Sequence, residues 1–223
     1  MRYRQLTYCL ILAVTISACS KMSEVDRLKK QAEAGNAEAQ GQLGHAYSEG
    51  IDIPRDYQEA FKWYLKAAEQ GDKWALFNLG VMYAEGEYFP KDYNQAFKWY
   101  LLAAEKGNSA AQFNIALFYA NGYGVRKDPI EAVSWYLKAS KNGFAPAQVA
   151  LGDAYKDGWG VKKDLVQAYA LFSLAATLTP NPDNQSVIDM AKVKRELIEI
   201  ALTPEEIAKA QNISREWYTK ESK

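Results

Sequence analysis

Asp56 to Gln70 reads DYQEAFKWYLKAAEQ, and 36 residues later Asp92 to Lys106 reads DYNQAFKWYLLAAEK, identical at 11 of 15 positions. Asp128 to Asn142 (DPIEAVSWYLKASKN) and Asp164 to Leu178 (DLVQAYALFSLAATL) extend the series at the same spacing of 36, without insertion. The segment ahead of each phrase repeats in step. Gly35, Gly71, Gly107 and Gly143 open the units; Leu43, Leu79, Ile115 and Leu151 follow, then Gly50, Gly86, Gly122 and Gly158. A fixed period of about 20–50 residues is the mark of an array in which each unit packs on the next.

Each unit carries two helical patterns. Ala39, Leu43, Ala46 and Tyr47 fall on one face of a first helix, and Ala60, Trp63, Tyr64, Ala67 and Ala68 on one face of a second. Gly50 stops the first helix. Asp56 stands where a carboxylate accepts the free N–H groups that open the second, as do Asp92, Asp128 and Asp164. Pro129 suits a first helical position. The small residues Gly44, Gly80, Ala116 and Gly152 allow close approach of the paired helices. A lone pair cannot bury its apolar face, whereas stacked pairs can. The fold class expected is all-α: an α/α solenoid of four helix-turn-helix repeats (35–70, 71–106, 107–142, 143–178) with helical caps at both ends.

Over residues 35 to 178 the pattern A-x-x-x-L-G-x-x-Y-x-x-G-x-G-V-x-x-D-x-x-x-A-x-x-W-Y-x-x-A-A resembles the Sel-one-like repeat, a relative of the tetratricopeptide repeat. Gly158-Trp159-Gly160-Val161 followed by Asp164 shows it plainly. Two departures stand out. Asp52 and Tyr88 replace the second loop glycine, so the first two loops are expected to turn differently. Leu171 and Phe172 replace the Trp-Tyr pair in the last unit.

At the ends, Val25 to Ala34 reads as an N-terminal capping helix within 19–34, and 179–223 as C-terminal capping helices. Thr203-Pro204-Glu205-Glu206 is a capping box opening the last helix. The first eighteen residues do not fit the repeat. Arg2 and Arg4 precede an apolar run from Tyr8 to Ala18, too short to span a bilayer. Ile16-Ser17-Ala18-Cys19 resembles a bacterial lipobox, which implies a lipoprotein signal peptide over 1–18 and lipidation of Cys19. The alternative is an ordinary signal peptide cut near Ala18. Ser20 after the cysteine implies release to the outer membrane, with the chain facing the periplasm. Cys9 lies within the discarded run, so the mature chain has no second cysteine for a disulfide.

Lys plus Arg and Asp plus Glu both number 27, which supplies no basic excess for a nucleic-acid surface. No nucleophile elbow, metal-ligand cluster or phosphate loop is present, and the single histidine, His45, reads as a surface side chain. The chain is therefore expected not to be an enzyme and to need no metal or cofactor. What remains is a surface. On the first helices, opposite the Ala-Leu-Tyr seam, the middle units are apolar: Trp74, Phe77 and Val81 in one, Phe113 and Leu117 in the next. By resemblance to tetratricopeptide arrays this face lines a concave groove where a partner peptide lies, with Asn78 and Asn114 placed to hold its backbone. For Phe77 and Phe113 packing between successive first helices is the favoured role, since an all-round apolar helix is usually a buried one. Trp74 is the stronger anchor, since Trp is over-represented among residues that carry binding energy.

The reading that follows is a membrane-anchored, non-catalytic module binding a partner protein, as an envelope scaffold or assembly factor. The resemblance also allows an immunity protein against a periplasm-acting toxin such as a secreted lipase. The aromatic residues allow a cell-wall glycan binder using Trp74 and Trp159.

Overall fold

The computed structural model describes residues 24–179, 181, 182 and 184–221, with side chains to 217. The lipobox, Cys19 and the boundary of the signal peptide lie outside them. The described residues are all-helical. α1 is Glu24–Glu33, and the four repeat pairs are α2 (Ala37–Glu49) with α3 (Tyr57–Glu69), α4 (Lys73–Glu85) with α5 (Tyr93–Glu105), α6 (Ser109–Asn121) with α7 (Pro129–Lys141), and α8 (Ala145–Asp157) with α9 (Leu165–Ala176). α10 (Gln185–Glu199) and α11 (Pro204–Glu221) follow. These form two compact units divided after Gln70. In the first, α1 packs on α2 and α2 on α3. In the second, each helix from α4 to α9 packs on the next, and α11 returns to α9. This is the α/α solenoid class.

The expected caps form. Asp56, Asp92 and Asp128 each accept two backbone N–H groups of the following turn, and Asp164 accepts one. Asn36, Asp72 and Asn108 do the same for the first helices. Phe144 takes that place ahead of α8 and accepts nothing; its ring packs on Phe113 with centroids 5.4 Å apart. Thr203 and Glu206 close the reciprocal capping box at 3.2 and 2.9 Å.

The small residues set the spacing within a pair. A Cβ built on Gly44, Gly80 or Gly152 would come within 2.7, 2.5 and 2.5 Å of the rings of Tyr64, Tyr100 and Phe172. Phe172 thus takes the tyrosine's slot in the last unit and is fully buried. The unit closes on apolar cores such as Ala116, Ala132, Tyr136, Leu151 and Leu171, against which Trp217 of α11 also packs.

The two substituted loops behave differently from each other. Asp52 keeps a left-handed φ of 57°, next to 62° at Gly124 and 66° at Gly160. Tyr88 does not adopt positive φ, and its ring meets Phe89 edge-on at 4.4 Å. The reason glycine is required at the later loops is contact with the preceding repeat. A Cβ on Gly160 would lie 2.2 Å from the carbonyl oxygen of Pro129, and one on Gly124 would lie 2.7 Å from the carbonyl carbon of Tyr93. Asp52 belongs to the first repeat, where no earlier repeat exists to exclude its side chain.

Candidate interaction face on α4 and α6

Trp74, Phe77, Asn78 and Val81 lie on α4, and Phe113, Asn114 and Leu117 on α6. The N-terminal ends of these helices are tied together by Asn108, the buried cap of α6. Its Oδ1 accepts from Ala111 N at 2.8 Å, and its Nδ2 donates to the carbonyl of Lys73 at 3.3 Å. The helical period then brings the seven side chains onto corresponding faces of the two helices.

Their environments differ. Trp74 is 56% exposed, with Lys73 Nζ 5.9 Å from its ring centroid. Phe77 is half-buried against Tyr100, its ring centroid 5.7 Å away. Phe113 is half-buried between Tyr136 at 5.6 Å and Phe144 at 5.4 Å. Leu117 packs on the core that contains Ala116 and Leu151. The two phenylalanines therefore serve the fold, and the packing role weighed for them has a structural basis. Asn78 and Val81 are half-buried. Asn114 hydrogen-bonds the Tyr100 hydroxyl; burial raises that hydroxyl's pKa and the Asn114 bond opposes the rise. Asn114 is thus partly committed inside the fold, which leaves Trp74 as the large apolar group the face offers to solvent.

His45 is exposed, as expected. Among the described residues, no group of three or more His, Cys, Asp or Glu side chains is placed to hold a metal ion, and no helix is long and apolar enough to cross a membrane.

Two features outside this face carried no motif in the sequence. One is a loop-side cleft of about 750 Å³ lined by Tyr83, Phe89, Lys91, Asp92, Tyr93 and Gln95. Tyr93 stacks on Tyr123 beside it, with centroids 4.9 Å apart. The other is a cleft in the C-terminal helices that gathers two arginines. Both join residues from separate helices, so local spacing gives no sign of them.

The regular helix pairs, aspartate caps and glycine-to-ring contacts define a helical-repeat protein of the solenoid type. The chain belongs to the Sel1 repeat family: Sel1 repeats match at residues 37–72, 75–108, 109–144 and 145–179, the second beginning four residues and the others two residues after the unit boundaries drawn from the sequence. It is similar to the crystal structure of a protective antigen present in uropathogenic Escherichia coli strains displaying an SLR fold, at 35% identity and a TM-score of 0.75. That match covers 88% of this chain but 40% of the antigen, so the chain spans well under half of that relative's length. It is also similar to a Sel1 repeat protein from Oxalobacter formigenes, at 35% identity and a TM-score of 0.65, over 75% of this chain and 77% of the other. No curated protein matches the chain. Sel1 repeat proteins are generally non-catalytic protein-interaction modules.

Proposed function

We propose that this chain is a lipid-anchored, periplasm-facing interaction module of the bacterial outer membrane, non-catalytic, which binds a partner protein through the α4–α6 face. The observation that carries the reading is Trp74. It is a large aromatic side chain more than half exposed, beside half-buried Phe77, Asn78 and Val81, in a family whose members generally bind proteins. An exposed Trp on a rigid helix offers apolar area at little entropic cost, since a partner need not order a flexible side chain. Anchoring rests on Cys19 and the lipobox-like residues before it.

The test is photo-crosslinking in cells from a photoreactive residue at position 74, read by mass spectrometry, with Lys62 as the control position. A discrete adduct from 74 and none from 62 supports the face and identifies the partner. An adduct with a secreted toxin assigns the immunity role, and one with an envelope assembly component assigns the scaffold. Adducts from 62 alone place the binding surface elsewhere. Labelled palmitate incorporated by the wild-type chain but not by Cys19→Ser tests the anchor.

A further inference from the structure

α10 carries apolar residues on two faces. Ile188, Ala191 and Ile198 are buried, the last two in the core that holds Tyr169 and Phe172 of α9. On the other side Met190, Val193, Leu197 and Ile200 stay 50, 56, 66 and 90% exposed. They follow one another at steps of three, four and three, the spacing of a coiled-coil seam. Ile200 stands just past the last helical residue but keeps helical angles, φ −62° and ψ −18°, so it stays in phase. Single exposed apolar side chains are ordinary. Four in one line, together a few hundred Å², mark an interaction surface. The last helix, α11, returns to α9 and leaves them open.

We propose that this seam is closed by α10 of a second copy of the chain, lying antiparallel across a two-fold axis level with Arg195. The seam is symmetric about that level: Met190 and Ile200 lie five positions from it, Val193 and Leu197 two. Met190 of each copy then meets Ile200 of the other, and Val193 meets Leu197. One patch serves both copies, as a two-fold contact requires. The exposed charges select the same partner and direction. In a two-fold antiparallel pair each edge of the seam meets its own counterpart. Lys192 and Glu196 share one edge, three positions before the axis and one after it, so Lys192 of each copy comes opposite Glu196 of the other, twice over. The two Glu196 carboxylates straddle the axis, each with a lysine on either side. Among the described residues Glu196 forms no ion pair within its own chain, and Lys192 meets Asp189 only in a solvent-exposed contact of 3.5 Å, which is worth little. On the other edge the two Lys194 groups face one another, each neutralised by its own Asp153 at 2.8 and 2.9 Å. A parallel pair would leave Lys192 and Glu196 without each other. Two 15-residue helices, each about 22 Å long, close less than the ~1,200–2,000 Å² of a stable interface, so the dimer is reversible and micromolar or weaker. The contact is separate from the α4–α6 face, and either can fail without the other.

The experiment traps the pair by disulfides in the detergent-solubilised full chain, with micelles in excess over protein and the wild-type chain as the control for Cys9 and Cys19. Met190→Cys and Ile200→Cys are made separately and carry different tags. In the antiparallel pair the two copies of position 190 lie about 15 Å apart, beyond the ~7 Å reach of a disulfide, whereas positions 190 and 200 adjoin. The expected result is a linked species carrying both tags in the mixture, and none above the wild-type background from either variant alone. Leu197→Glu added to both chains lowers the trapped fraction by about tenfold or more at unchanged Tm, because the side chain is exposed in the monomer. Lys192→Glu lowers it less, and Lys192→Glu with Glu196→Lys in the same chain restores it. Sedimentation equilibrium of the wild-type chain up to ~1 mM shows a mass rising from one chain toward two. Self-linking of either variant alone means parallel or random pairing and overturns the proposal. So does a wild-type chain that stays monomeric throughout, or trapping that Leu197→Glu leaves unchanged; the seam then belongs to a helix of a different protein.

Discussion

The side-chain amide of Asn142 donates to Oε1 of Gln112 across 2.8 Å, and Nε2 of Gln112 donates in turn to the Ala104 carbonyl at 3.1 Å. The first repeat builds the same relay from Gln70, Gln40 and Ala32, at 2.7 and 3.0 Å. The second repeat avoids it by placing buried Leu76 where the glutamine stands. In the fourth repeat the relay is broken. Gln148 is 1% exposed, but Leu178 occupies the donor's position and Gln148 Oε1 has no partner. Ser140 Oγ, fully buried where the other repeats carry Ala68, Ala104 and Ala176, is likewise unpartnered.

Removing these orphaned groups is expected to stabilise the protein. Gln148→Leu, which copies Leu76, and Ser140→Ala should each add about 1–2 kcal/mol, the cost of a buried unsatisfied polar group. For a chain of this size that is a rise of about 2–4 °C in Tm per kcal/mol. Gln112→Leu should move the other way by about 1 kcal/mol, because it breaks a satisfied relay. Thermal unfolding followed by circular dichroism measures all three. Equal losses for Gln148→Leu and Gln112→Leu would refute the distinction.

The loop glycines make a second contrast. At Gly160, with φ 66°, a Cβ would lie 2.2 Å from the Pro129 carbonyl oxygen. Gly160→Asp therefore adds left-handed strain of about 1–2 kcal/mol to a backbone clash, and the expected total exceeds about 2 kcal/mol. Asp52 already holds φ 57° at the same loop position of the first repeat. Asp52→Gly should change stability by less than about 1 kcal/mol, since it relieves strain in the folded state while freeing the unfolded chain. Denaturant midpoints of the two variants, at equal m-values, supply the check.

These cases show where the sequence is legible. The period of 36 residues, the aspartate caps and the Gly44, Gly80 and Gly152 contacts all repeat locally, so one copy explains the others. The fold class followed from them. Asp52 was misread because a glycine position alone does not reveal what the glycine avoids; the excluded contact belongs to the repeat before it. The two arginines of the C-terminal cleft come from α10 and α11, twenty positions apart, beyond the periodic region. On the α4–α6 face the sequence grouped seven residues by helical phase. Phase cannot separate Phe77, which rests on Tyr100, from Trp74, which stays exposed; that depends on the ring of the paired helix.

The buried tyrosines predict a pH dependence. Burial pushes the Tyr136 hydroxyl up to about 12. Burial also raises Tyr100, with smaller upward pushes from Glu85 and Glu87 working against the Asn114 hydrogen bond. Unfolded, both titrate near the ordinary tyrosine value of about 10. The folded state thus holds these protons more tightly, so their contribution is intact below pH ~10 and is lost as pH rises toward the folded values. Between pH ~10 and ~12 stability should fall by up to about 1.4 kcal/mol per pH unit for each tyrosine. Tyr136→Phe should remove one such share from the slope. Denaturant unfolding between pH 9 and 12, alongside tyrosinate absorbance, measures it; an unchanged slope in Tyr136→Phe would exclude Tyr136 as its source.

Trp74 and Phe77 lie three positions apart on α4 but are expected to fail in opposite assays. Phe77→Ala strips a ring packed on Tyr100 and should cost about 2–4 kcal/mol, toward the low end because Phe77 is only half-buried. Trp74→Ala removes a mostly exposed side chain and should stay within about 0.5 kcal/mol of wild type. If Trp74 anchors the partner, the same substitution should weaken capture of that partner tenfold or more, the loss of a residue that carries about 1.4 kcal/mol or more of binding. Phe77→Leu, which keeps apolar bulk against Tyr100, should retain most of the stability and most of the capture. Tm and partner recovery measured on the same three preparations separate the roles. A Trp74→Ala chain with wild-type Tm and wild-type recovery would remove the anchor from this face, whereas a large fall in its Tm would make Trp74 a packing residue like its neighbour.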